Sequence, residues 1–213
     1  MTDARQPAEE GGAVAPPDPW DPLVRVTHWL IALAVLLNAV LDEGGSALHV
    51  WVGWMVLAVL AIRLLWGLIG PAEARFSAFP PAPRAALRHL KTLLRGRPRE
   101  HRSHNPAGAL MVYALWACLA LISATGLVMT DARSPVTLAE EKAAVAAGDW
   151  SVLASADDRA ENGEIKEITE EMHEMLANLL LLLVAAHVAG VAVESRALRR
   201  NLLRPMLTGS RRG

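Results

Sequence analysis

The sequence predicts an all-α protein, an integral membrane four-helix bundle with both termini on the cytoplasmic side. Three observations predict it. Four apolar runs, at about 23–41, 49–69, 107–129 and 172–193, approach the roughly 20 residues a helix needs to cross a bilayer. Helix-boundary residues flank these runs. Basic and acidic residues are segregated between alternate loops, although the net charge is only -1.

Residues 1–19 are polar and rich in Ala, Pro, Gly and acid. They lack the basic start and apolar core of a signal peptide, so a disordered tail is expected ahead of a bundle domain spanning 20–209. Asp21 is a natural N-cap and Pro22 suits the first helical position, opening the first span. Residues 42–46 form a short acidic turn. The second span begins near His49 and stops at Gly70-Pro71. Residues 72–105 carry Arg75, Arg84, Arg88, Lys91, Arg95, Arg97, Arg99 and Arg102. Among them Leu87, Leu90 and Leu94 recur at helical spacing, which fits either an amphipathic helix on an anionic membrane surface or a solvated basic loop. No nucleic-acid partner is expected.

Asn105-Pro106 opens the third span. The loop at 131–171 is mostly acidic, and its stretches 138–147 and 157–171 are expected to be helical. The fourth span leads into a basic segment with Arg196, Arg199, Arg200 and Arg204, closed by a short tail at 210–213 that holds Arg211 and Arg212. Positively charged loops stay on the cytoplasmic side. The loop 72–105 and the C-terminal segment are therefore assigned inward, and the loop 131–171 outward, to the periplasm. Trp20, Trp29, Trp51, Trp54 and Trp66 lie near span ends, as interfacial aromatic residues do. Cys118 is the one cysteine. It excludes an internal disulfide, a C-x-x-C-H haem attachment and thiolate-ligated clusters, and reads as a small buried apolar residue.

Four histidines fall on the apolar spans: His28, His49, His173 and His187. An ionisable side chain is costly inside a bilayer and asks for a partner or a function. His173 and His187 are fourteen residues apart, about 21 Å along a helix and within about 40° of one face. The topology puts His28 near the inner side, His49 near the outer side, His173 outer and His187 inner. Two depth-matched pairs follow: His28 with His187 inside, and His49 with His173 outside. Haem iron accepts two axial imidazoles from facing helices, leaving no open position for oxygen and suiting electron transfer. Two haems b, ligated by these four residues, are the reading the depths favour. Singly, a membrane histidine also serves as a helix–helix hydrogen bonder or a proton relay.

Arg63 lies fourteen residues after His49, near the depth of the inner pair. Its guanidinium matches a haem propionate, while snorkelling to the interface is the competing use. Arg25, three residues before His28, is a weaker candidate of the same kind. His89, His101 and His104 are expected in solvent or at lipid headgroups, with His104 placed to transfer protons at a quinone site. Gly53, Gly67, Gly108, Gly126 and Gly190 allow close helix approach, and Gly190, three residues after His187, would leave room for an inner porphyrin.

The same residues carry a family resemblance. Trp20-Asp-Pro-Leu-Val-Arg-Val-Thr-His28-Trp29 resembles the opening of bacterial cytochrome b561 and hydrogenase-type cytochrome b subunits. So do His49-Val-Trp-Val-Gly53, Arg63-Leu-Leu-Trp-Gly-Leu-Ile-Gly-Pro71 and His104-Asn-Pro. His173-Glu-Met-Leu-Ala-Asn-Leu, His187-Val-Ala-Gly190 and Asn201-Leu-Leu-Arg-Pro-Met-Leu-Thr-Gly209 are similar too. The resemblance implies a multi-pass protein of the bacterial inner membrane with two b-type haems and these four histidines as axial ligands. It implies electron exchange between quinone and a periplasmic partner, a c-type cytochrome or a hydrogenase-like dehydrogenase. The acidic loop would suit steering of a basic cytochrome. The alternative of a self-sufficient quinone-linked oxidoreductase, such as a superoxide oxidase, wants a positive outer funnel, which the acidic loop opposes.

Overall fold

The computed structural model describes residues 21–41, 44–95, 104–154 and 163–209, and every regular element among them is helical. The expected tail 1–19, Trp20, residues 42–43 of the acidic turn, the Leu94 side chain, Arg97, Arg99, His101, Arg102, residues 157–162 of the expected 157–171 helix and the 210–213 tail lie outside the described residues. Four helices are long and apolar enough to cross a membrane.

Helix α1 runs Pro22–Leu36 and closes with a π-turn, Leu37–Leu41. Asp21 caps it, its carboxylate accepting from Leu23 N at 2.9 Å and Val24 N at 3.1 Å. Helix α2, Ala47–Ile69, starts where Ser46 Oγ accepts from His49 N at 3.0 Å, and stops at Gly70 ahead of Pro71. Two 3₁₀ turns, Ala72–Ala74 and Phe76–Ala78, lead to α3, Pro83–Leu94. Helix α4, Pro106–Met129, is capped by Asn105, whose Oδ1 accepts from Gly108 N at 2.7 Å. Outside it, α5 spans Pro135–Ala146 and α6 Ser151–Ala154. Helix α7, Gly163–Ala197, is the longest, and α8, Leu203–Thr208, ends the fold.

The fourth apolar run is thus only part of its helix: α7 starts in the acidic segment, nine residues before 172, and runs four past 193. Hydropathy marks where lipid begins. Helical hydrogen bonding continues past that edge because Glu and Lys are good helix formers in water. In the outer segment Arg133 pairs with Glu141 and lies 3.7 Å from Asp131, which Lys166 meets at 3.0 Å. These contacts tie the end of α4 to α5 and to the start of α7.

The core is a thin seam. Ala34 of α1, Val52, Val56 and Leu60 of α2, Cys118 and Leu119 of α4, and Leu176 and Leu180 of α7 meet in one cluster. Helix α4 packs on α7, α2 and α3, and α1 on α2. Outward-facing Leu36, Leu65, Leu68, Leu182 and Val188 are each more than half exposed. Such apolar surface would drive aggregation in water; in a bilayer it is the face presented to lipid.

Helix α3 has two faces. Ala86 and His89 are buried against the bundle, while Leu87 and Leu90 are exposed beside Arg84, Arg88 and Lys91. The leucines therefore point away from the protein, as an interfacial helix requires. Helix α8 is tethered to α1: Arg25 donates to Met206 O at 3.2 Å and Leu207 O at 2.7 Å, and Trp29 Nε1 to Met206 O at 3.2 Å. Gly209 closes the arrangement with φ 65, and any side chain there would run into the Arg25 guanidinium.

Candidate functional site

Helix α7 contributes one residue to each of two imidazole pairs. His187 faces His28 of α1 with ring centroids 6.3 Å apart and planes at 53°. His173 faces His49 of α2 at 6.0 Å and 63°. A metal–nitrogen bond of about 2.0–2.1 Å, with the ring centre roughly 1.1 Å further back, would put two imidazoles on opposite sides of one metal about 6.3 Å apart. All four side chains are half-buried. A Cβ built on Gly53 or Gly190, near His49 and His187 on their helices, would meet nothing within 4 Å outside its own turn of helix.

The donor chemistry fits a haem. Imidazole suits iron, and two axial ligands suffice where the porphyrin supplies the rest. Among the described residues no group of three or more His, Cys, Asp or Glu is gathered to hold a bare metal ion. His28 Nδ1 is buried without a hydrogen-bond partner. Arg63, only 5% exposed, has Nη1 likewise unpartnered while its guanidinium carbon lies 5.0 Å from the Trp116 ring centre. A buried cation with an unused donor asks for an acceptor, and a propionate is one.

Arg25 is used differently. Its hydrogen bonds to Met206 and Leu207 turn the guanidinium to α8. The sequence suggested a second propionate contact there, whereas the residue binds the tail helix.

Thr125 was not singled out from sequence. Its Oγ1 lies 2.8 Å from His173 Nδ1 and is also 3.0 Å from Leu121 O and 2.9 Å from Ile122 O. With the hydroxyl proton given to one of those carbonyls, its oxygen accepts from His173 in the tautomer that carries the proton on Nδ1. That tautomer leaves Nε2 with its lone pair free for a metal. Gly126 lies against the same ring, 3.5 Å from its Cε1 to where a Cβ would stand.

At the inner end the sequence expectation for two further histidines is corrected. His89 is 6% exposed, not solvated, because α3 turns it into the bundle, where Nε2 lies 3.6 Å from Glu194 Oε1. His104 packs its ring 4.7 Å from that of Phe79. Burial, with Arg63 and the imidazoles of His187 and His28 adding to it, pushes His104 down to about 4. It is neutral at physiological pH. Phe76, Phe79, Tyr113 and Trp116 stack around one another beside it, with Phe76 seated on Gly67.

Residues 19–209 match the family model described as prokaryotic cytochrome b561. The chain belongs to this family. As a cytochrome b561 family member it is a membrane b-type cytochrome of electron transfer, binding haem b. Searches of curated proteins and of solved structures found no match. The family model covers all of α1 to α8, so both imidazole pairs, Thr125 and Arg63 fall within it.

Proposed function

We propose that this cytochrome b561 family protein carries two haems b, the inner ligated by His28 and His187 and the outer by His49 and His173. It passes electrons between the quinone pool and a periplasmic redox partner, a c-type cytochrome or a hydrogenase-like dehydrogenase. The observation that carries this reading is the spacing of the two imidazole pairs, 6.3 Å and 6.0 Å between centroids, at two levels of one helix. When bound, each haem would supply a one-electron iron couple, with these imidazoles as the residues that would hold it.

The rest is the work of the chain. Fourteen residues of α7 separate His173 from His187, about 21 Å, which sets one site toward each face of the membrane. Thr125 holds the His173 ring in the ligating tautomer. Arg63 offers its unpartnered donor to a propionate at the inner site. Basic residues between α2 and α4 and after α7, against acidic residues between α4 and α7, support the orientation with the inner site toward the cytoplasm. Both termini are then cytoplasmic, in a bacterial inner membrane.

The reading is tested by counting haem. Protein purified in mild detergent should hold two haems b per chain, with a six-coordinate spectrum that carbon monoxide does not alter. One haem per chain, or a spectrum that shifts with carbon monoxide, contradicts it.

A further inference from the structure

A buried acid–base pair is costly in a medium of low dielectric, and breaking even is the usual result. One such pair stands at the inner end of this bundle, apart from both imidazole pairs. His89 Nε2 of α3 is 3.6 Å from Glu194 Oε1 of α7, and the two side chains are 5% and 13% exposed. Asn105 Nδ2 donates to the other carboxylate oxygen, Glu194 Oε2. The orientation of that amide is fixed, because its Oδ1 caps α4 at Gly108 N, 2.7 Å away. The carboxylate is thus held at both oxygens, from two different elements.

Its position along α7 is informative. Glu194 follows His187 by seven residues, about 10.5 Å of helix and within about 20° of the same face. Reading inward along that face gives His173, His187, Glu194. The acid lies on the line of the imidazoles, at the end where α3 meets the interface. Clamping α3 to α7 alone would be served as well by apolar side chains, and α3 already buries Ala86 against the bundle.

We propose that His89 and Glu194 form a proton-relay site for a quinone carrier acting at the inner end of the bundle, with Glu194 exchanging protons with the carrier and His89 exchanging them with the aqueous side. This rests on the reading of His28 and His187 as the inner haem ligands. In the oxidising direction both O–H bonds of a quinol break as its ring becomes a quinone. Its two electrons would leave one at a time for the haem that His28 and His187 would hold, each passed on to the outer haem before the next arrives. Its two protons go in turn to the Glu194 carboxylate and through the His89 imidazole to water. In the reducing direction the same groups supply the protons. Among the described residues, other polar and charged groups toward this end include His104 and Asn105 at the start of α4, Tyr113 of α4, Arg63 of α2, Asp21 ahead of α1, His187 of α7, and the exposed Arg88 and Lys91 of α3.

The test uses the whole protein with its haems, mixed rapidly with a short-chain quinol analogue while haem reduction is followed optically. Glu194→Gln keeps the shape and the bond from Asn105 after an amide turn, but accepts no proton. It should slow quinol-driven reduction by about a hundredfold, the usual worth of a positioned acid–base group, and flatten its pH profile. The visible spectrum and complete reduction by dithionite should be unchanged. His89→Gln should act in the same direction. Wild-type rate and pH profile in Glu194→Gln would overturn the relay while leaving the quinone reading intact. Loss of the haem spectrum in both variants would make the pair a structural clamp and overturn it too. Wild-type protein with both haems that no quinol analogue reduces would overturn the relay together with the quinone reading.

Discussion

The hydroxyl oxygen of Thr125 accepts from His173 Nδ1, and a hydrogen bond there makes the imidazole a stronger donor to whatever its Nε2 binds. Ferric iron gains more from a basic ligand than ferrous iron does. Thr125→Val should therefore raise the midpoint potential of the outer haem by roughly 40 mV, the equivalent of about 1 kcal/mol for one electron. Thr125→Ser should restore it, and the inner haem should not move. A redox titration that resolves the two haems checks this; equal potentials in wild type and the valine variant refute it. His104 gives a pH prediction. Its folded value of about 4 lies below the unfolded value of 6.5. The unfolded chain therefore binds more protons between these limits, and this contribution to stability, full above about 6.5, is lost as pH falls toward 4. Between pH 6.5 and 5 the loss is about 2 kcal/mol. Thermal unfolding in detergent should show it, and His104→Gln should flatten the dependence. Neither residue's role is visible in sequence. A threonine in an apolar run looks like any other small polar residue. What distinguishes Thr125 is a histidine 48 positions away.

At the scale of elements, most of the architecture is legible because boundaries are written in short-range chemistry. Asp21-Pro22, Asn105-Pro106 and Gly70-Pro71 start or stop helices where the sequence suggests. The length of α7 is not legible from hydropathy, since its acidic first turns are as helical as its apolar ones. The burial of His89 is also hidden. In α3 the leucines mark the lipid face, and the protein-facing side is defined by Glu194 of α7, 105 residues on in the chain. Helix α8 offers a test of Arg25. If its task is to hold the tail, Arg25→Ala should free α8 and speed proteolysis near residues 202–209, costing about 2 kcal/mol of local stability for charged hydrogen bonds. The haem spectrum and potentials should stay as in wild type. A shifted inner-haem potential with an unchanged tail would instead return Arg25 to the propionate role.

At the scale of the whole molecule, two asymmetries run along the membrane normal. Acidic residues gather at one end and basic residues at the other, and the imidazole pairs lie at two levels between them. The two levels can be read from the sequence once the fourth run is taken as a helix, because a fourteen-residue step keeps to one face. Which helix faces α7 at each level follows from helix direction through the membrane; the rings of His28 and His187 lie 6.3 Å apart and those of His49 and His173 6.0 Å. That α7 packs chiefly on α4 lies beyond sequence reading, since it rests on contacts between runs far apart in the chain. We propose two separate haem sites sharing one helix. The most direct measurement is the haem content and reduced spectrum of four single variants, each histidine changed to alanine. His28→Ala and His187→Ala should lose the same haem and keep the other, and His49→Ala and His173→Ala should show the reverse pattern. Loss of one common haem in His28→Ala and His49→Ala, or retention of both haems in any of the four, would contradict it.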